Sequence, residues 1–318
     1  GQPALGRGLH HASRRQTLGM LWRGLWAKYR RLLLDLAFEV VLVVLFLKAY
    51  NLVRNQFGSQ KCTPKFALGH ALQIIRAERA LGIFWEQEIQ AISLSWTRWI
   101  RFWNIFYGSA HMAVTVFVLG YLFALKPKAY QFCRTVFIIM NILAISGYAG
   151  YPLMPPRLVP SCDPYGGCLA QYTYVDTLHT VGGLWSWKDK AVSKVSNHYA
   201  AMPSMHAGYS IWCSLSMYGY SAHSLFKGLA VLYPLLTMYC IVVTANHFIL
   251  DAVFGALALW VASRIAPYIP RVGRGADEVA PYPFLAQVLL LYRTLFEGRC
   301  KGCTTCAACQ QKAAKSAC

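Results

Sequence analysis

Several stretches of this chain stay apolar on every side for close to the roughly 20 residues that a helix needs to cross hydrocarbon. A backbone in lipid must satisfy its own N–H and C=O groups, which leaves helices or closed barrels as spanning structures. These runs lack the alternation of barrel strands, so they predict helices. Six crossings follow, at about residues 32–51, 104–125, 135–153, 203–221, 225–244 and 248–267. Only 14% of the residues are charged, against about 25% in a soluble domain. A soluble protein with buried helices rarely needs so many segments that are hydrophobic all round. The expected fold is an all-α integral membrane protein with a core of six transmembrane helices. The first run contains Asp35 and Glu39, both near its basic end, where water is close. No small-residue cleavage signature follows it, so it reads as an anchor rather than a secretory signal.

Charge predicts the orientation. Residues 1–31 carry seven Lys or Arg and no acid, the 126–134 connection carries Lys126, Lys128 and Arg134, and residues 269–318 carry seven basic and three acidic side chains. The positive-inside rule puts all three on the cytoplasmic side, which six crossings satisfy. Residues 1–31 then form a basic cytoplasmic segment, 32–268 a membrane domain and 269–318 a basic, Cys-rich cytoplasmic tail. Segments 52–103 and 154–202, with the turn near 245–247, face a lumen or the exterior, in an endomembrane of the Golgi or ER or in the plasma membrane. The formal charge of +19 sits at membrane flanks. That placement suits anionic lipid better than nucleic acid, and no nucleic-acid module accompanies it.

The non-spanning segments carry their own signals. Residues 66–93 predict a helix with Leu72, Ile75, Leu81, Phe84 and Ile89 as apolar positions. Trp96, Trp99, Trp103 and Tyr107 continue toward the next crossing, as amphipathic interfacial helices and aromatic belts do. Glu78 and Glu86 read as a polar face or as support for Arg76 and Arg79, with substrate contact as the alternative. Cys162 and Cys168 lie six apart in a Pro- and Gly-rich loop on the expected oxidising side. A disulfide between them is one reading and free thiols are the other. In the tail, Cys300, Cys303, Cys306 and Cys309 recur every third residue. Four thiolates can bind zinc, but a spacing of three drifts around a helix, so S-acylation beside the basic membrane-proximal segment is preferred.

Two histidine motifs stand at the edges of apolar runs: Met202-Pro203-Ser204-Met205-His206 and Asn246-His247-Phe248-Ile249-Leu250-Asp251. If 247–251 begins a helix, His247 and Asp251 share a face. The acid can then orient one imidazole nitrogen while the other attacks phosphorus, which is carried as phosphohistidine. His206, at the same expected membrane face, can protonate the departing oxygen and later take a proton from the acceptor. Pro203 and Ser204 fit a helix start, whose free amides favour phosphate oxygens.

These residues resemble those of the type 2 phosphatidic-acid phosphatase (PAP2) superfamily over about residues 100–268. Pro203, Ser204 and His206 are similar to its second motif, with Met205 in place of glycine. His247 and Asp251 are similar to the nucleophile and orienting acid of its third motif. Pro155-Pro156-Arg157-Leu158 is the nearest counterpart of the first. The run Tyr151-Pro152-Leu153-Met154-Pro155-Pro156-Arg157 and the pair Asn246-His247 look more like the branch containing inositol phosphorylceramide synthases, a sphingolipid inositolphosphotransferase group. The resemblance implies His247, His206 and Asp251 as the catalytic set, and Arg157, Ser204, Asn246 and His198 are expected to bind the phosphate oxygens. Gly150 stands where the family has a lysine, and Cys240 and Ile241 replace its serine-arginine pair. With fewer cations, a monoanionic phosphodiester donor is expected over a dianionic monoester. The function expected is a phosphotransferase moving a phosphoryl or phospho-headgroup from a phospholipid to a lipid or polyol hydroxyl, with no metal or other cofactor. A lipid phosphate phosphatase or phospholipase-like hydrolase, and a catalytically inactive membrane scaffold, are the alternatives.

Overall fold

The computed structural model describes residues 6–57, 62–160, 172–184 and 197–270. The Cys162–Cys168 pair and the tail cysteines lie outside them. Among the described residues there is no strand, and the helices are α1 (Gly6–Phe57), α2 (Pro64–Leu81), α3 (Glu86–Leu94), α4 (Thr97–Leu125), α5 (Pro127–Gly150), the short α6 (Thr177–Thr180), α7 (Met205–Tyr220), α8 (Ser224–Val243) and α9 (Ile249–Ile265). Four segments here are long and apolar enough to cross a membrane: α4, α5, α8 and the run Ile249–Tyr268, which is α9 extended by a 3-10 turn.

The expected first and fourth crossings, α1 and α7, are not among these four. α1 carries Asp35, Glu39 and Lys48 through its apolar stretch. α7 has 16 residues, which reach about 24 Å at 1.5 Å per residue. Its position in the bundle explains its composition. α7 packs against α4, α5, α8 and α9, so it buries Ser210, Ser214 and Ser216 along with Trp212, Leu215 and Met217. Its polar groups find partners within the protein: Ser210 Oγ donates to the Ala207 carbonyl of the preceding turn, and Trp212 Nε1 donates to that of Cys133 in α5. Large apolar side chains are exposed instead on α1, α4, α8 and α9, among them Val40, Val116, Leu232 and Phe254.

Glycine allows the closest approach in this core. A Cβ on Gly255 of α9 would lie 2.3 Å from the carbonyl oxygen of Ser204, and one on Gly208 of α7 would lie 3.1 Å from Met140 Sδ. Small residues let membrane helices approach closely where apolar burial alone gives no net attraction. Gly255→Ala is therefore expected to destabilise the protein by about 1–3 kcal/mol, the usual range for forcing atoms into a packed core. A lowered thermal unfolding midpoint in detergent checks this.

The 66–93 segment forms two helices rather than one. α2 starts with Thr63 as cap and Pro64 in its first turn, and stops at Gly82, whose φ of 71° suits a residue without a Cβ. Ala67, Leu68, Ala71 and Ile75 then seat α2 on Leu153, Met154, Met202 and Phe248. The backbone joins the three motif-bearing loops beneath it. Leu153 N donates to the Tyr199 carbonyl at 2.8 Å, Arg157 N to Ala245 at 2.8 Å, and Ser204 N to Asp251 at 2.9 Å.

Candidate active site

His247 sits in the turn between α8 and α9. Ala245 takes a φ of 50°, a left-handed conformation that costs a non-glycine residue about 1–2 kcal/mol. The amides of Asn246 and His247 fold back onto the Ile241 carbonyl at 3.0 and 3.3 Å. His247 thus precedes α9 instead of opening it: Phe248 is the cap and Asp251 lies in the first turn. The expected pairing forms in spite of this, but it is shared. His247 Nδ1 lies 3.4 Å from Asp251 Oδ2 and only 2.9 Å from the Ala201 carbonyl oxygen.

Both of those neighbours accept, so the hydrogen belongs on Nδ1 and Nε2 keeps its lone pair. Nε2 faces His206 Nδ1 at 3.3 Å. Because Nε2 is the acceptor in that contact, the hydrogen between the rings belongs to His206. A nitrogen able to attack therefore meets a nitrogen able to give a proton.

His206 is the second residue of α7. Tyr107 of α4 stacks on its ring, with centroids 4.2 Å apart and planes 18° from parallel, and His111 lies 4.4 Å away. His111 Nδ1 is 3.1 Å from the Tyr107 carbonyl. Ser204 is fully buried and caps α7, its Oγ accepting from Ala207 N at 3.4 Å; it is not in the wall of the cavity described below.

Arg157 is buried beside the histidines. Its Nε donates to Asn246 Oδ1 at 2.9 Å and its Nη1 to Asp176 Oδ2 at 3.1 Å. Asp176 also caps α6, accepting from His179 N at 3.1 Å. His198 lies at the same end; burial and then the Arg157 charge hold its imidazole below the usual range.

A cavity of about 380 Å³ connects these groups. Its polar end presents Arg157, Asn197, His198, His206, Asn246 and His247. Its apolar end is lined by Phe46 and Leu47 of α1, Met112 of α4, and Ala144 and Ile145 of α5. Leu47 of α1 and Met112 of α4 are both about half exposed, at 51% and 56%, so this wall of the cavity reaches the outer surface of the helices. A charged head with an apolar body fits that gradient.

A model of the PAP2 superfamily matches residues 72–265. The chain belongs to the PAP2 superfamily. Comparisons with curated proteins and with solved structures returned no match. In PAP2 terms the matched span holds both histidines, Asp251 and Arg157, and membership points to lipid phosphatase or phosphotransferase chemistry. It leaves out α1, which supplies one wall of the cavity.

Of the residues singled out in the sequence, His206, His247, Asn246, Arg157 and His198 converge on one cavity, and Asp251 supports it from behind. Three neighbours were missed. Asp176 carries no motif signal. Tyr107 reads from its sequence context as an interfacial ring. His111 had a usable signal, since an ionisable residue inside an apolar span is by default a functional-site candidate. Among the described residues, no group of three or more His, Cys, Asp or Glu side chains is arranged to hold a metal ion.

Proposed function

We propose that this PAP2 protein is a membrane phosphotransferase acting through a phosphohistidine on His247. The observation that carries the reading is the His247 Nε2 to His206 Nδ1 contact at 3.3 Å in a cavity with a charged end and an apolar end. In the first step Nε2 attacks phosphorus, the bond to the lipid alkoxide breaks, and His206 gives that oxygen its proton. The phosphate anion supplies the countercharge that a protonated His206 needs. In the second step His206 takes a proton from an acceptor hydroxyl, which attacks phosphorus and frees His247. Asp251 and the Ala201 carbonyl keep the attacking tautomer in place throughout.

In this reading residues 32–268 form the phosphotransferase domain, and α1 and α7 complete six crossings around the site. The cytoplasmic basic segments put the cavity's polar end on the luminal or exterior side. Arg157, Asn246 and His198 hold the nonbridging oxygens, and Ser204 contributes by fixing the start of α7.

The donor is a phosphodiester lipid. Asp176 offsets much of the Arg157 charge at 3.1 Å, so the site offers little net positive charge to a dianionic monoester. Arg157→Lys is expected to lower kcat/KM by about 10- to 100-fold, because an ammonium cannot span Asn246, Asp176 and a phosphate oxygen as a planar fork does. Steady-state assays comparing phosphatidic acid with its inositol and choline diesters test the donor class, and a strong preference for phosphatidic acid would overturn it. Mass spectrometry of the same lipids, with and without ceramide or inositol, separates the remaining readings. A transfer product supports the transferase, a hydrolysis product alone supports a phosphatase or phospholipase-like enzyme, and no product supports a scaffold.

A further inference from the structure

The first amides of α9 have no partner within their own helix, as at any helix start. Here three carboxyl groups take them. Asp251 Oδ2 accepts from Phe248 N at 2.9 Å, Glu86 Oε1 from Ile249 N at 2.8 Å, and Glu78 Oε1 from Leu250 N at 2.7 Å. Glu78 and Glu86 come from α2 and α3, more than 160 residues away in sequence. Both are completely buried.

Each of these glutamates has a second oxygen, Oε2, that meets no donor from any other described residue. Two carboxyl groups this deeply buried at one helix start do not both ionise readily. Among the described residues, neither forms an ion pair. Arg79, one residue from Glu78, lies over the Phe84 and Tyr172 rings instead, and Arg76 is exposed. Burial and then the Glu86 charge push Glu78 up to about 9, and Glu86 is raised by burial as well. The other titratable groups facing the pair are Asp251 on α9 and Tyr174 on the 172–176 segment, whose buried hydroxyl also lacks a partner. Glu88 on α3 acts on Tyr174.

We propose that Glu78 and Glu86 are positioning residues that clamp the first turn of α9 and so hold His247 and Asp251 in their reacting geometry. The inference rests on the reading of His247 as nucleophile. Its physical content is short-range. Ile249 and Leu250 are the second and third residues after His247, and the carboxylate that orients the ring is the next residue. Releasing the two amides frees the turn that carries both partners. Electrostatics sets the condition for the clamp. A carboxylate is favourable at a helix N-terminus, but three full charges in one buried space are not, and a proton on Glu78 resolves the conflict. Loss of that proton as the pH rises through about 9 sets two buried charges against each other.

The test uses the full-length protein in detergent micelles with an alkyl 4-nitrophenyl phosphodiester as probe. Glu78→Ala is expected to lower kcat by about 10- to 100-fold with KM within about 3-fold, the scale of a small misplacement of reacting atoms. Glu78→Gln keeps an oxygen for Leu250 N and is neutral like the protonated acid, so it is expected to restore kcat near pH 7. Because the amide cannot ionise, the alkaline fall in kcat should move up by at least about one pH unit in Glu78→Gln. If Glu78→Ala does not fold, the shifted alkaline limb of Glu78→Gln decides alone. Full kcat in a folded Glu78→Ala, an unmoved alkaline limb in Glu78→Gln, or a rise in KM at constant kcat overturns the clamp. Inactive His247→Ala beside fully active Glu78→Ala removes only the clamp, whereas an inactive wild type or an active His247→Ala removes the phosphotransfer reading on which it rests.

Discussion

Replacing His247 by alanine is expected to remove transfer and hydrolysis together, by on the order of 10⁴-fold or more, while leaving membrane insertion intact. The expectation follows from position. With its Nδ1 hydrogen held between the Ala201 carbonyl and Asp251, the His247 ring presents the Nε2 lone pair to the cavity. Rapid acid-free quenching and peptide mass spectrometry should find the donor's phosphoryl group, with its remaining ester, on His247 and none on His206. Robust turnover by folded His247→Ala would refute the assignment. Asp251→Asn should be milder, at about 10²- to 10⁴-fold. Two features support the difference. The Ala201 carbonyl still holds the Nδ1 hydrogen at 2.9 Å, and an asparagine oxygen can still accept from Phe248 N.

His206→Ala should behave differently, and the difference lies in the leaving group. A positioned acid contributes on the order of 10²- to 10⁴-fold when the departing alkoxide is basic. With a 4-nitrophenolate leaving group that assistance is scarcely needed. His206→Ala should therefore lose most of its activity on a dialkyl phosphodiester yet keep much of it on the aryl analogue, while His247→Ala loses both. The contrast is read as the ratio of kcat values for the two substrates in each variant. Equal losses on both would show that the Tyr107 stack and the His111 contact make His206 a structural ring.

How legible this was in the sequence depended on how local each relationship is. His247 and Asp251 stand four residues apart, and His206 follows a Pro-Ser helix start, so a short window carries the pattern. Their detailed geometry is not local. Ala201, which holds the His247 ring more closely than Asp251 does, lies 46 residues upstream and contributes only a backbone carbonyl, which no side-chain pattern can announce. Ser204 stood out as a phosphate contact because of its motif, whereas the fold turns its hydroxyl to cap α7. The ends of α7, α8 and α9 were readable to within two residues, whereas α1 begins at Gly6, far before the expected 32. Gly82 was not taken as a stop because the apolar spacing continues across it. Glu78 and Glu86 were visible as acids on an amphipathic helix. That they face α9 depends on α2 and α3 folding over the loop cluster, a tertiary fact without a sequence period. Asp176 escaped for the same reason: it caps a four-residue helix and reaches Arg157 from outside every motif.

In the proposed reading a lipid donor enters past the half-exposed Leu47 and Met112, and this has a kinetic consequence. A substrate that enters from the bilayer never becomes a dissolved solute, so its encounter rate depends on how many of its molecules share the surface with the protein. The quantity that saturates such an enzyme is a mole fraction in the membrane plane, and diluting the reaction with inert lipid slows it even when the bulk amount of substrate is unchanged. A water-soluble headgroup analogue would reach only the polar end of the cavity and forgo the Phe46, Leu47 and Met112 contacts. Surface density, rather than solution concentration, is then the variable through which the surrounding membrane governs the flux.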